Sequence, residues 1–83
     1  PKTVEEQTRQ AIENVSSILK SVGLSLDDVV KTTVFMTDLT KFSNMNDVYA
    51  QYFKTNPQAR AAFEVKALPK NADVEIEAVA TKK

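Results

Sequence analysis

"VVKTTVFMT", residues 29–37, decides the fold. Val29, Val30, Thr32, Thr33, Val34 and Thr37 are all branched at Cβ. Such side chains are stiff and suit a pleated, half-buried surface, so the stretch is expected as a strand. Alternation places Val30, Thr32, Val34 and Met36 on one face and Lys31, Thr33, Phe35 and Thr37 on the other. The first face can join a core. The second is mixed, as in a sheet covered by helices on one side only.

Working outward toward the N-terminus, Ser25-Leu26-Asp27-Asp28 carries a cap and an acidic third position and predicts one helical turn. Gly23, the one glycine of the chain, stands where a helix ends in a left-handed residue. Before it, Val4, Ala11, Ile12, Val15, Ile18, Leu19 and Val22 recur at helical spacing, and Thr3-Val4-Glu5-Glu6 reads as a capping box. A helix over Val4 to Val22 is therefore predicted.

Toward the C-terminus, Asp38 or Thr40 can cap a second helix whose apolar stripe is Phe42, Met45, Val48, Tyr49, Tyr52 and Phe53. Asn56-Pro57 is expected to end it, because proline pushes the preceding residue out of the helical region. A second strand is predicted from Arg60 to Leu68, a turn over Pro69 to Asp73, and a third strand from Val74 to Ala80. On that last strand Val74, Ile76, Ala78 and Ala80 face one way, and Glu75, Glu77 and Val79 the other. The last two strands are expected to form a hairpin, across which Lys66 can pair with Glu75 or Glu77. The order helix, strand, helix, strand, strand implies a single α+β domain over residues 1–83, a two-layer sandwich with both helices on one face of the sheet.

Composition narrows the chemistry. A chain of 83 residues buries only about 60–65% of its unfolded surface, so help from a partner subunit is expected. With no cysteine there is no disulfide and no thiolate metal site; with no histidine the commonest general base and zinc ligand are missing. Asp27, Asp28 and Asp47 lack the spacing of a calcium loop, and one glycine cannot build a phosphate loop. Neither a metal nor a cofactor is expected. Eleven basic residues balance eleven acidic ones, without the basic face that nucleic acid requires. Apolar runs are too short to span a membrane, no signal-like segment is read before Thr3, and the expected location is cytoplasmic.

Two residues remain as candidates. Arg60 sits among small residues, and its planar fork can hold a carboxylate through two parallel hydrogen bonds. Glu75 can orient or deprotonate a water. The plainer alternatives stay open: an arginine opening a strand more often makes a surface ion pair, and Glu75 with Glu77 more often forms the solvated side of an edge strand. Tyr49, Tyr52 and Phe53 are expected in the core. Asn46, on a part-buried helix face, is expected to bond a nearby backbone group.

Several stretches together resemble one family: "VEEQTRQAIENVSSIL", "GLSLDDVVKTTVFMTDLTKFSNMNDVYAQYF", "NPQAR" and "LPKNADVEIEAVA". The chain resembles the Rid proteins, the reactive intermediate deaminases, also called YjgF-like or L-PSP endoribonuclease-like, from about Val4 to Ala80. The resemblance implies a chorismate-mutase-like fold and homotrimers with clefts between neighbouring subunits. It implies hydrolysis of 2-imino acids (2-iminobutanoate and 2-iminopropanoate), the reactive enamine or imine products of pyridoxal-phosphate enzymes, to 2-keto acids and ammonia. The arginine of the "PxAR" motif matches Arg60 and is implied to bind the substrate carboxylate. The glutamate of the "EIEA" motif matches Glu75 and is implied to act on the attacking water. Ala62 is implied to contact substrate through its backbone, where members often carry a cysteine.

The chain also departs from the family pattern. Family members begin with a β-hairpin bearing "GPYSQ"-like and "SGQ" segments that line the cleft, and this sequence starts after it, so the first two strands are expected to be missing and the piece to be weakly active or inactive by itself. Asn71 stands where "LPKGA" is usual, and asparagine is the next-best residue for a positive φ. A non-catalytic or regulatory carboxylate-binding protein is the alternative reading. An endoribonuclease or translation inhibitor fits the neutral charge less well.

Overall fold

The computed structural model describes residues 3–53 and 58–82. Its elements are α1 (Val4–Ser21), β1 (Val29–Met36), α2 (Phe42–Tyr52), β2 (Ala59–Glu64) and β3 (Val74–Ala80), with single 3-10 turns at Leu26–Asp28, Leu39–Lys41 and Pro69–Asn71. Both termini of α1 follow the expected chemistry. Thr3 Oγ1 accepts from the Glu6 amide at 3.0 Å, and Glu6 Oε1 accepts from the Thr3 amide at 3.1 Å. At the other end Gly23 has φ +81°, and the Leu24 amide reaches the Leu19 carbonyl at 2.8 Å while the Gly23 amide reaches Lys20. This double closure satisfies carbonyls that the helix itself cannot.

The sheet order is β2-β1-β3, with β1 parallel to β2 and antiparallel to β3. The expected hairpin of the last two strands is therefore corrected: β1 lies between them. Short loops favour hairpins, and the segment 65–73 is longer than the usual two to five residues. The helix α2 supplies the crossover that a parallel pair needs, and β3 then takes the other side of the apolar strand β1. Without a hairpin, the expected pairing of Lys66 with Glu75 or Glu77 has no cross-strand position. The second strand also ends at Glu64 rather than Leu68. After the Val65 amide bonds the Met36 carbonyl at 2.8 Å, β1 offers nothing further to pair with.

Thr32, Val34 and Met36 are fully buried on β1, as their alternation predicts. Val30 is the exception. The register against β3 shifts between Val29 and Lys31, so Val29 is 3% exposed and Val30 is 41% exposed. A bulge of this kind puts two successive residues out of the simple alternation. Asp38 caps the 3-10 turn leading into α2, accepting from the Thr40 amide at 3.0 Å, whereas α2 itself, with Lys41 at its N-cap, has no side-chain cap, so neither Asp38 nor Thr40 caps it. The expected helix end at Asn56-Pro57 lies outside the described residues.

Val4 and Ile12 of α1, Met45 and Tyr49 of α2, Val34 and Met36 of β1, and Val74 and Ile76 of β3 make one core. Each fully buried large side chain contributes about 1.5–3 kcal/mol. A polar clamp closes one end. Gln7 Nε2 donates to Asp73 Oδ2 at 3.0 Å, the Asp73 amide donates to Gln7 Oε1 at 2.7 Å, and Thr37 Oγ1 donates to Asp73 Oδ1. It ties α1 to the end of β1 and the start of β3. At the turn before β3, Asn71 has φ +57° as its place in "LPKNA" suggests, and Lys70 has φ +59°.

Both helices cover the same face of the sheet. On the other face Phe35 and Phe63 stack with ring centroids 6.2 Å apart, and Phe63 and Val79 are 53% and 57% exposed. Ile18 and Val22, expected on the apolar stripe of α1, are also exposed. The last turns of α1 lie beside the outer edge of β3, where Val15, Ile18, Leu19 and Val79 line an open hollow of about 520 Å³.

Candidate functional site

Arg60 is the second residue of β2 and pairs in register with Thr32, whose side chain faces α2. Arg60 therefore points to the helix side of the sheet. Three residues of α2, at spacings of four and three, receive it: Phe42, Asn46 and Tyr49. The guanidinium carbon lies 5.2 Å from the Phe42 ring centroid and 4.7 Å from that of Tyr49. Nη1 donates to Asn46 Oδ1 at 2.6 Å. A guanidinium over an aromatic face gains about 0.5–1 kcal/mol at an exposed site.

Tyr49 is itself fixed from below. Its hydroxyl shares a 2.6 Å hydrogen bond with the buried Thr32 Oγ1 and accepts another from Gln58 Nε2, while its ring packs on Phe53 at 4.6 Å. Asn46, Tyr49, Ala50, Phe53, Gln58 and Arg60 line an open pocket of about 400 Å³. Arg60 is exposed at its rim, so a fixed cation faces solvent. Ala62, the next residue on the same face of β2, is half-buried and packs against the core.

The expectation for Asn46 is corrected here: its side chain bonds the Arg60 guanidinium instead of a backbone group. The signal was present in the sequence as the spacing of Phe42, Asn46 and Tyr49, which puts all three on one side of a helix. Missing was the knowledge that this side meets β2. Tyr49 is in the core as expected, and Tyr52 and Phe53 pack against it half-buried.

Glu75 is the second residue of β3, in register with Phe35 on the face away from the helices, and is half-buried. Glu77 shares that face and is exposed. Arg60 and Glu75 are thus on opposite faces of the sheet, with β1 between their strands. One chain does not bring them together. Among the described residues, no group of three acidic, histidine or cysteine side chains could hold a metal ion, and no helix is long and apolar enough to cross a membrane.

The family described as Endoribonuclease L-PSP has a model that matches residues 1–82. The chain belongs to this family. This Rid-family chain is 51% identical over 77 residues to the human 2-iminobutanoate/2-iminopropanoate deaminase, covering 93% of its own length and 56% of the human protein. It is 49% identical over 79 residues to a RutC family protein of Pyrococcus horikoshii, covering 95% of itself and 63% of that relative. It therefore spans less than two thirds of the curated relatives it matches. Among solved structures, the YjgF gene product of E. coli superposes with a TM-score of 0.96 at 41% identity, over 100% of this chain and 68% of that one. E. coli TdcF with bound serine superposes with a TM-score of 0.95, also at 41% identity, over 100% of this chain and 68% of that one. The α+β architecture is that of the YjgF and Rid structures.

Proposed function

We propose that the whole protein is an imine deaminase that converts 2-imino acids, such as 2-iminobutanoate, to 2-keto acids and ammonia. The observation that carries this reading is Arg60: an exposed arginine whose guanidinium lies over two rings at the rim of an open pocket, in a chain half identical to a protein of that activity. Arg60 binds the substrate carboxylate through paired hydrogen bonds. Ala62 offers backbone contact, since among the described residues β2 is an edge strand whose outward amides and carbonyls have no partner strand.

The reaction needs little more. An iminium carbon is already electrophilic. The oxygen of water adds to it while one water proton passes to the Glu75 carboxylate. Glu75 returns that proton to nitrogen, the carbon–nitrogen bond breaks to release ammonia, and the hydroxyl gives its remaining proton to the Glu75 carboxylate as the carbonyl forms, from which it leaves with ammonia as ammonium. Positioning substrate and water together is worth several kcal/mol of barrier.

The opposite orientations of Arg60 and Glu75 favour a site completed between neighbouring copies, as in a homotrimer. The exposed Phe63 and Val79 on the uncovered sheet face favour association in the same way. A second reading, carboxylate binding without turnover, draws support from the relative solved with serine. The two are separated by generating 2-iminobutanoate in situ and following its hydrolysis. The deaminase reading expects Arg60→Ala to lose turnover and binding, and Glu75→Gln to lose turnover while still binding 2-ketobutyrate. Wild-type turnover by Glu75→Gln contradicts the role of Glu75. Binding by the wild type with no hydrolysis leaves the second reading.

A further inference from the structure

We infer that Asn46 is a positioning residue for the carboxylate site: its neutral amide oxygen orients the Arg60 guanidinium without consuming its charge. The inference rests on the reading of Arg60 as the carboxylate clamp. A free arginine on an edge strand samples many rotamers, and ordering it on binding weakens a ligand's affinity. Here the ordering is already present. Asn46 lies one turn after Phe42 and one turn before Tyr49, so one face of α2 offers a ring, an acceptor and a second ring to the same cation. The 2.6 Å bond from Nη1 to Oδ1 fixes the direction of the fork. A guanidinium has five N–H donors, so one taken by Asn46 leaves a pair for a carboxylate.

The choice of an amide over a carboxylate at this position has a consequence. Aspartate is nearly the same shape and would hold Arg60 more firmly. It would also form an ion pair with the cation and compete with the ligand for it. A merely structural role would therefore rank Asn46→Asp as milder than Asn46→Ala. A positioning role reverses that order for ligand binding.

The test is the affinity of the assembled protein for 2-ketobutyrate, measured by calorimetry beside the thermal unfolding midpoint. Asn46→Ala is expected to weaken binding about three- to tenfold, the cost of immobilising one long side chain. Asn46→Asp is expected to weaken it further while unfolding no earlier than Asn46→Ala. If Asn46→Asp binds like the wild type while Arg60→Ala does not bind, the inference is overturned and the clamp stands. If Arg60→Ala binds like the wild type, or the wild type itself does not bind, the clamp falls and the inference with it.

Discussion

Tyr49 joins the core to the pocket. Its ring supports Arg60, and its hydroxyl is the partner of Thr32, which has no exposure at all. Tyr49→Phe keeps the ring and leaves the buried threonine oxygen without that bond. Losing the partner of a buried polar group costs about 1–3 kcal/mol, and a denaturant titration should show it. The stack on Arg60 should survive, so ligand affinity should change less than stability. Asp38 makes a different prediction. Its carboxylate is held below the ordinary aspartate range, first by the Thr40 hydroxyl and next by the Thr40 amide, which outweigh the opposing desolvation, with Lys41 adding to them. A folded value below the unfolded one stabilises the fold at pH above about 3.9, and that contribution is lost as pH falls through the folded value. Following the Asp38 carboxyl carbon by NMR should give a midpoint below that of an exposed aspartate, and Thr40→Val should move it up. At this scale the sequence singled out Arg60 and Glu75 as candidates. It did not show that Asn46 is the partner, because that bond joins residues of two elements whose packing is a tertiary fact.

At the scale of elements, local chemistry was legible almost everywhere it was local. The capping box at Thr3, the Ser25 cap, the glycine closure of α1 and the start and end of β3 all follow from residues a few positions apart. What failed depended on neighbours far along the chain. The hairpin expectation failed because alternation within a strand says nothing about which strand lies beside it. Val30 is exposed because the bulge against β3 belongs to a pair of strands, not to one. Gly23 offers a clean test of the part that was legible. A Cβ there would meet nothing within 4 Å, so only the backbone conformation at φ +81° resists substitution. Gly23→Ala should destabilise by about 1–2 kcal/mol, and Gly23→Asn by less, because asparagine tolerates the left-handed region. Equal midpoints for glycine and alanine in thermal unfolding would mean that α1 ends in some other way.

The described residues form a sheet that helices cover on one face. The helices cover Val34, Met36, Val74 and Ile76, while Phe35, Phe63 and Val79 lie on the uncovered side, and the β3 edge sits beside the apolar end of α1. Arg60 belongs to the covered side and Glu75 to the uncovered one. No reading of strand order from sequence could foresee that split, since it needs both the central position of β1 and the parity of each strand against it. If Arg60 and Glu75 serve one substrate, as proposed, that substrate lies between two copies of the chain. Mixing tests this most directly. Arg60→Ala and Glu75→Gln proteins are each assayed for 2-iminobutanoate hydrolysis, then unfolded together in equal amounts, refolded and assayed again. If each site takes Arg60 from one copy and Glu75 from its neighbour, the variants are inactive alone, and random assembly of a cyclic oligomer restores about a quarter of the wild-type rate. A mixture as inactive as its components, with the variants shown to co-assemble, would contradict the shared site.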